Sequence, residues 1–211
     1  FFSSVLMSNE YIISKVSNEK ISISANFEGS NILIYGAINL DDQKNDLIIE
    51  IIGPTVSNLI LKKEKKLGIW INKNTEKIIN LPSFYFIAGT NRINKSSLMF
   101  NNKIKGIGID NIINKINNNL ILDKYKDEIV KIKIKKGKYF EDTKSIELKK
   151  DILFSTSIDL PSNLIEGNYI TKMHVLKNNQ IIQTSEKTIE VRKIGIEKWL
   201  YNLAYENSLF Y

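Results

Sequence analysis

Cysteine is absent from this 211-residue chain. Without a thiol there are no disulfides, no thiolate metal sites and no cysteine nucleophile. Arginine is almost absent too. Arg92 and Arg192 are the only two, although Lys and Arg together number 30 against 23 Asp and Glu. Arginine is the main reader of guanine edges and the bidentate phosphate clamp. A net charge of +7 carried almost wholly by lysine therefore does not describe a nucleic-acid binder. The excess of Lys, Asn and Ile is explained by codon bias in an AT-rich genome. A single histidine, His174, confines imidazole chemistry to one place. No apolar run reaches the ~18 residues that a bilayer-spanning helix needs.

What is present reads mostly as strands and turns. An apolar fraction of 43% supports a real core. Ile21 to Ala25 alternates apolar and polar, as a half-buried strand does. Ile32 to Ile38 and Leu47 to Ile52 are short apolar runs suited to buried strands, and Gly36 marks a bulge or a close backbone approach. Lys62 to Lys66 reads as a solvated strand end or loop between Leu59-Ile-Leu61 and Gly68-Ile-Trp-Ile71. Beyond Pro82 the pattern changes. Asp110 with Ile112, Ile113 and Ile116 predicts a capped helix. The stretch from Asp123 to Lys136 fits two patterns. Val130, Ile132 and Ile134 alternate with lysines as in a strand, while Tyr125, Ile129 and Ile132 fit a helix face. It is read as a second helix, with Gly137 as its C-cap. Strand signals return from Ser145. Tyr169, Thr171, Met173 and Val175 share one strand face, and Lys177-Asn-Asn-Gln180 predicts a hairpin turn.

Few residues here carry chemistry. His174 lies in a predicted strand, on the face opposite Tyr169 and Met173, and reads as an exposed or satisfied side chain rather than a catalyst. Asp41, Asp42 and Asp46, and the pair Glu141-Asp142, stand in lysine-rich, turn-like surroundings where solvation is the plain reading. Asp41 to Asp46 also lacks calcium-loop spacing. Gly106-Ile-Gly108 is a fragment of a phosphate loop without the third glycine or the lysine. The chain is expected not to be an enzyme and to hold no cofactor or metal. Its aromatic concentration lies in Trp70, Pro82, Phe84 and Tyr85, which are read as core packing or as a surface groove for a partner. The lysines of 62–66 and 131–138 suit a solvated face or contact with anionic headgroups.

Residues 193–211 have a different character. Ile196, Trp199, Leu200 and Leu203 recur at helical spacing. Lys193, Lys198, Trp199 and Tyr201 are a membrane-proximal set of the kind that flanks a bilayer entry point. The expectation is a juxtamembrane helix leading into a transmembrane segment that is missing here, which would make the bilayer a partner through that segment.

The segments Gly68-Ile-Trp-Ile-Asn72, Leu81-Pro-Ser-Phe-Tyr85 and Leu160-Pro-Ser-Asn163, then Glu166-Gly-Asn-Tyr169, precede Arg192-Lys-Ile-Gly-Ile-Glu-Lys-Trp-Leu-Tyr201. Together they make the chain resemble a family of alphaproteobacterial putative transmembrane proteins of unknown function. The tail is the most specific part of the likeness. Asn168 stands where the family often has Thr. The resemblance implies a signal peptide, an exported β-rich domain and one C-terminal transmembrane helix. It also implies a bacterial inner-membrane location with the domain facing the periplasm. Similar proteins are often encoded beside a sulfite-exporter-like permease, which points to a membrane partner.

The reading is therefore mainly β: an immunoglobulin-like β-sandwich over 20–192 with a helical insertion at about 83–140, and a C-terminal juxtamembrane helix over 193–211. Residues 1–19 read as a signal-peptide remnant or a first edge strand. The function read is that of a membrane-anchored, periplasm-facing accessory or protein-interaction domain. The alternative is a binding module for a small ligand or an envelope polymer.

Overall fold

A computed structural model of the protein describes residues 12–38, 45–90, 104–117 and 123–195. In chain order the strands are β1 (Ile12–Val16), β2 (Lys20–Ile23), β3 (Ser30–Ile38), β4 (Asp46–Ile52), β5 (Thr55–Lys66), β6 (Ile69–Pro82) and β7 (Tyr85–Thr90). Helices α1 (Ile109–Ile116) and α2 (Asp123–Lys135) follow, then β8 (Tyr139–Lys149), β9 (Leu153–Leu160), β10 (Gly167–Lys177) and β11 (Gln180–Lys193). The protein is mainly β.

Nine strands form one sheet in the order β1-β3-β9-β8-β7-β4-β10-β11-β2, and β5 with β6 forms a separate ribbon. The sequence reading expects two packed sheets. The ladders instead run through all nine strands, because β8 serves both halves. Tyr139 to Ile146 pairs with β7 in parallel, and Glu147 to Lys149 pairs with β9 antiparallel. The sheet curls until its far strands approach, with Ser14 Oγ of β1 3.5 Å from Ser185 Oγ of β11. The curl closes around a core in which Ile32, Ile34, Phe154 and Ile158 of one half meet Ile49, Ile51, Met173, Val175 and Val191 of the other. Each such side chain, fully buried, contributes roughly 1.5–3 kcal/mol. Tyr169, Thr171, Met173 and Val175 do share the inner face of β10. Gly36 is the expected close approach, since a Cβ there would stand 2.8 Å from the Phe154 ring.

The 83–140 segment differs from a helical insertion in one respect. It holds both helices but opens on β7, a central strand buried at every position. Phe84, Phe86 and Ala88 enter the inner core, while Tyr85 and Ile87 enter a second one with Ile48, Ile107, Ile109, Ile113, Val130 and Tyr139. Apolar residues on both faces suit a strand covered on both sides. A parallel partner such as β8 also requires a long crossover, and the helices are that crossover. α2 ends in a Schellman motif, in which Gly137 at φ 62° donates to Ile134 O and Lys138 N to Lys133 O. The N-cap of α1 is Gly108, without a side-chain cap. Asp110 is not the cap: it lies inside the first turn and reaches Lys126 of α2 at 3.3 Å.

Among the described residues no helix is long and apolar enough to cross a membrane. The expected C-terminal helix over 193–211 does not begin at Lys193, since 193–195 are not helical, and 196–211 lie outside the described residues. Lys193 closes β11, and Ile194 and Gly195 follow it out of the sheet.

Candidate interaction surface

The ribbon of β5 and β6 leaves the sheet between β4 and β7. Strand registers locate its base. Ile52 lies opposite both Tyr85 and Ile170, Gly167 lies opposite Val191, and Lys193 lies opposite Ile23. The base of the ribbon, the start of β10 and the end of β11 thus share one end of the sheet. There Ser83 N donates to Pro54 O and Gly53 N to Phe84 O, each at 2.8 Å. Gly167, at φ 144°, lies against Pro54, where a Cβ would stand 2.8 Å from Pro54 Cγ. Asn117, just past α1, clamps the ribbon edge: its Oδ1 accepts from Asn80 N at 3.0 Å and its Nδ2 donates to Asn80 O at 2.7 Å.

The far end of the ribbon is a two-residue turn, Leu67-Gly68, with positive φ at both residues (50° and 84°), the twist that tight hairpins need. Leu67 is fully exposed, and Ile69, Trp70 and Ile71 are 67%, 64% and 41% exposed. Lys65 and Lys66 beside them are exposed as well.

The sequence-predicted set is thus divided. Trp70 stands in solvent at the ribbon tip. Pro82 is buried at the base, where its carbonyl accepts from Tyr139 Oη at 2.8 Å. Phe84 and Tyr85 are 1% and 0% exposed, one in each core. A pocket joining Trp70 to Phe84 or Tyr85 is therefore not formed. The alternation of β7 sends the two rings to opposite faces, and the ribbon carries Trp70 away. Of the membrane-proximal set, Lys193 ends β11, while Lys198, Trp199 and Tyr201 lie outside the described residues. In the 131–138 stretch Lys131, Lys135 and Lys136 are exposed. Partial burial pulls Lys133 and Lys138 below the usual lysine range, with neighbouring lysine charge adding to the effect at Lys133.

One polar cluster escaped the sequence reading. His174 is buried, with Nε2 3.0 Å from Glu50 Oε2 and Nδ1 2.8 Å from Thr184 Oγ1. Glu50 is 1% exposed, and its Oε1 accepts from Tyr85 Oη at 2.6 Å and from Gly108 N at 3.1 Å. The carboxylate thus sits at the positive end of α1, where a helix favours an anion. Gly106-Ile-Gly108 does receive an anion, but it is the protein's own. Burial, then the charge and hydrogen bond of Glu50, hold the Tyr85 phenol well above its usual range. The signal was a lone acid within Leu47-Ile-Ile-Glu-Ile-Ile52, since an unpaired carboxylate does not survive inside a doubly covered strand.

Imidazole, carboxylate and hydroxyl lie side by side here, yet they lie along the outer face of the sheet and line neither of two described cavities. One cavity, of about 800 Å³, lies where β11 leaves the sheet and is lined by Ile23 to Asn26, Ser162, Leu164 and Lys193 to Gly195. The other lies along Ile13, Tyr35 and Leu153. Among the described residues no group of three or more His, Asp or Glu is placed to hold a metal ion.

Residues 11–211 match a protein family described as "Putative transmembrane protein (Alph_Pro_TM)". No curated protein matches the chain.

Proposed function

This chain belongs to the Alph_Pro_TM family of putative transmembrane proteins, and from that premise we propose that it is the exported portion of a single-pass inner-membrane protein. It faces the periplasm as an accessory to an integral-membrane partner, a permease of the sulfite-exporter-like kind. The observation that carries this reading is the extent of the match, which takes in the whole β-domain and the aromatic, lysine-bearing tail after Lys193. The domain is immunoglobulin-like in role: a curled sheet around an inner core, with its ends brought together, is a scaffold suited to presenting loops and edges to a partner rather than to enclosing a reaction.

The test is crosslinking in cells of the natural full-length protein, combined with protease accessibility in spheroplasts. The proposal expects a carbonate-resistant membrane protein, digested from the periplasmic side and captured with one permease. Release by carbonate, or protection from protease, overturns it.

The cavity beside Leu164 favours a second reading, in which the domain holds a small ligand or a segment of an envelope polymer. Its volume suits a small molecule, with Ile23, Ala25, Leu164 and Ile194 supplying apolar wall and Ser24, Asn26 and Ser162 supplying hydrogen-bonding groups. A metabolite and glycan screen in which Leu164→Trp abolishes every hit would support it. Hits indifferent to that substitution would remove it.

A further inference from the structure

We infer that the tip of the β5–β6 ribbon is a second membrane contact, built to seat end-on in an anionic phospholipid surface. The inference rests on the membrane-anchored reading above and adds a site to it. It begins with a local cost that the fold does not recover. Leu67 occupies the left-handed region at φ 50°, a position for which Asn, Asp or Gly is preferred, and it is fully exposed. A leucine there is unfavourable for backbone and solvation alike and adds nothing to either core. Such a break with local preference is a mark of function rather than folding.

The register shows how the tip presents itself. Lys66 lies opposite Ile69, Lys65 opposite Trp70, and Glu64 opposite Ile71. At the tip each apolar residue thus faces a charged one, and neither face of the tip is an apolar strip that could lie flat on another protein. At the apex Leu67 leads, with Ile69 level with Lys66 and Trp70 level with Lys65 behind it. Apolar residues paired level with lysines suit a bilayer surface, where Leu, Ile and Trp enter the interface and long lysine side chains carry their ammonium heads back to the phosphate layer. Lysine near an anionic leaflet adds attraction of its own.

Placement agrees with this. The ribbon springs from the same end of the sheet at which β11 ends at Lys193, so the proposed anchor and the ribbon leave the domain together. A strand of 12 residues spans about 40 Å, enough to reach a surface while the domain stands clear of it.

The absence of cysteine makes the test clean. Leu67→Cys in the 211-residue chain places one environment-sensitive fluorophore at the apex, and Asn178→Cys places one in the β10–β11 turn at the opposite end of the sheet. Vesicles of equimolar phosphatidylcholine and phosphatidylglycerol are expected to shift emission to the blue at position 67 and not at 178. Lys65→Gln with Lys66→Gln is expected to weaken that response by about tenfold, and vesicles of phosphatidylcholine alone to give little of it. An unchanged signal at 67, or equal changes at 67 and 178, overturns the proposal. Vesicle binding through the tail with a silent position 67 rejects the ribbon contact and leaves the anchor standing. Insertion at 67 in a protein that carbonate releases from cell membranes rejects the anchor and keeps the ribbon contact.

Discussion

Glu50 and His174 are diagonal neighbours on β4 and β10, both buried, with 3.0 Å between carboxylate and imidazole. With Glu50 acting only as an acceptor, Nε2 carries the proton it shares, and Nδ1 is left to meet Thr184. Through Tyr85 and Thr184 the pair joins four strands and, through Gly108, the start of α1. Removing His174 leaves Glu50 buried with only the hydrogen bonds from Tyr85 and Gly108. His174→Ala is expected to lower unfolding free energy by ~1–3 kcal/mol, measured by urea denaturation. Replacing the cluster by Glu50→Leu, His174→Leu and Tyr85→Phe together is expected to cost much less than the sum of the single changes. Additive losses would show that the pair is not a unit.

Tyr85 makes stability sensitive to high pH. Its folded pKa lies above the unfolded value near 10, so the unfolded chain releases this proton first. The contribution is complete below about pH 10 and declines as pH rises beyond it, by about 1.4 kcal/mol per unit for this one group. Tyr139 and Tyr169, also raised by burial, act in the same direction. Alkaline melts of Tyr85→Phe are expected to fall less steeply than those of the parent chain. Equal slopes would remove Tyr85 from the account.

Trp70 and Phe84 belong to one aromatic-rich region of the sequence but to different tasks. Trp70→Ser is expected to change stability by less than about 0.5 kcal/mol, as surface substitutions do. Phe84→Ala, in contact range of the Phe140 and Tyr169 rings at centroid distances of 5.7 and 6.0 Å, is expected to cost ~3–5 kcal/mol. Thermal unfolding of the two variants side by side decides it.

Asn117 ties the ribbon base to the helical crossover by two hydrogen bonds. Asn117→Ala is expected to cost ~1–3 kcal/mol and to speed amide exchange at Asn80 ahead of the rest of the sheet. Exchange at Asn80 that is unchanged would mean the ribbon is held by its backbone ladder alone.

Much of the fold was legible because it follows from periodicity. The inner face of β10 and the Asn178-Asn179 turn, with φ of 52° and 61°, are written in local sequence, whereas the helix over 123–135 carried a competing strand pattern and was settled only by its Gly137 cap. The sheet order was not. Which strand neighbours β7 depends on where an apolar residue on its second face finds cover, and nothing local to Phe84-Tyr85-Phe86 says that the cover is a helix pair further along the chain. The candidate surface was half legible for the same reason. Trp and Phe look alike as apolar bulk, and only the geometry of the ribbon separates the exposed ring from the buried ones. Glu50 was visible in principle, being the one charge in an apolar run.

The pairing of β2 with β11 joins Lys20 to Glu190 and Ile23 to Lys193, so the first part of the chain waits for nearly the last. β3 likewise waits for β9. Contacts at such separation are slow to form, since the intervening chain must first be drawn closed. A polypeptide that emerges from the ribosome in order cannot complete this sheet until residue 193 has appeared. Until then β2 and β3 present unpaired edges to their surroundings, and folding is timed by the end of the β-domain rather than its beginning.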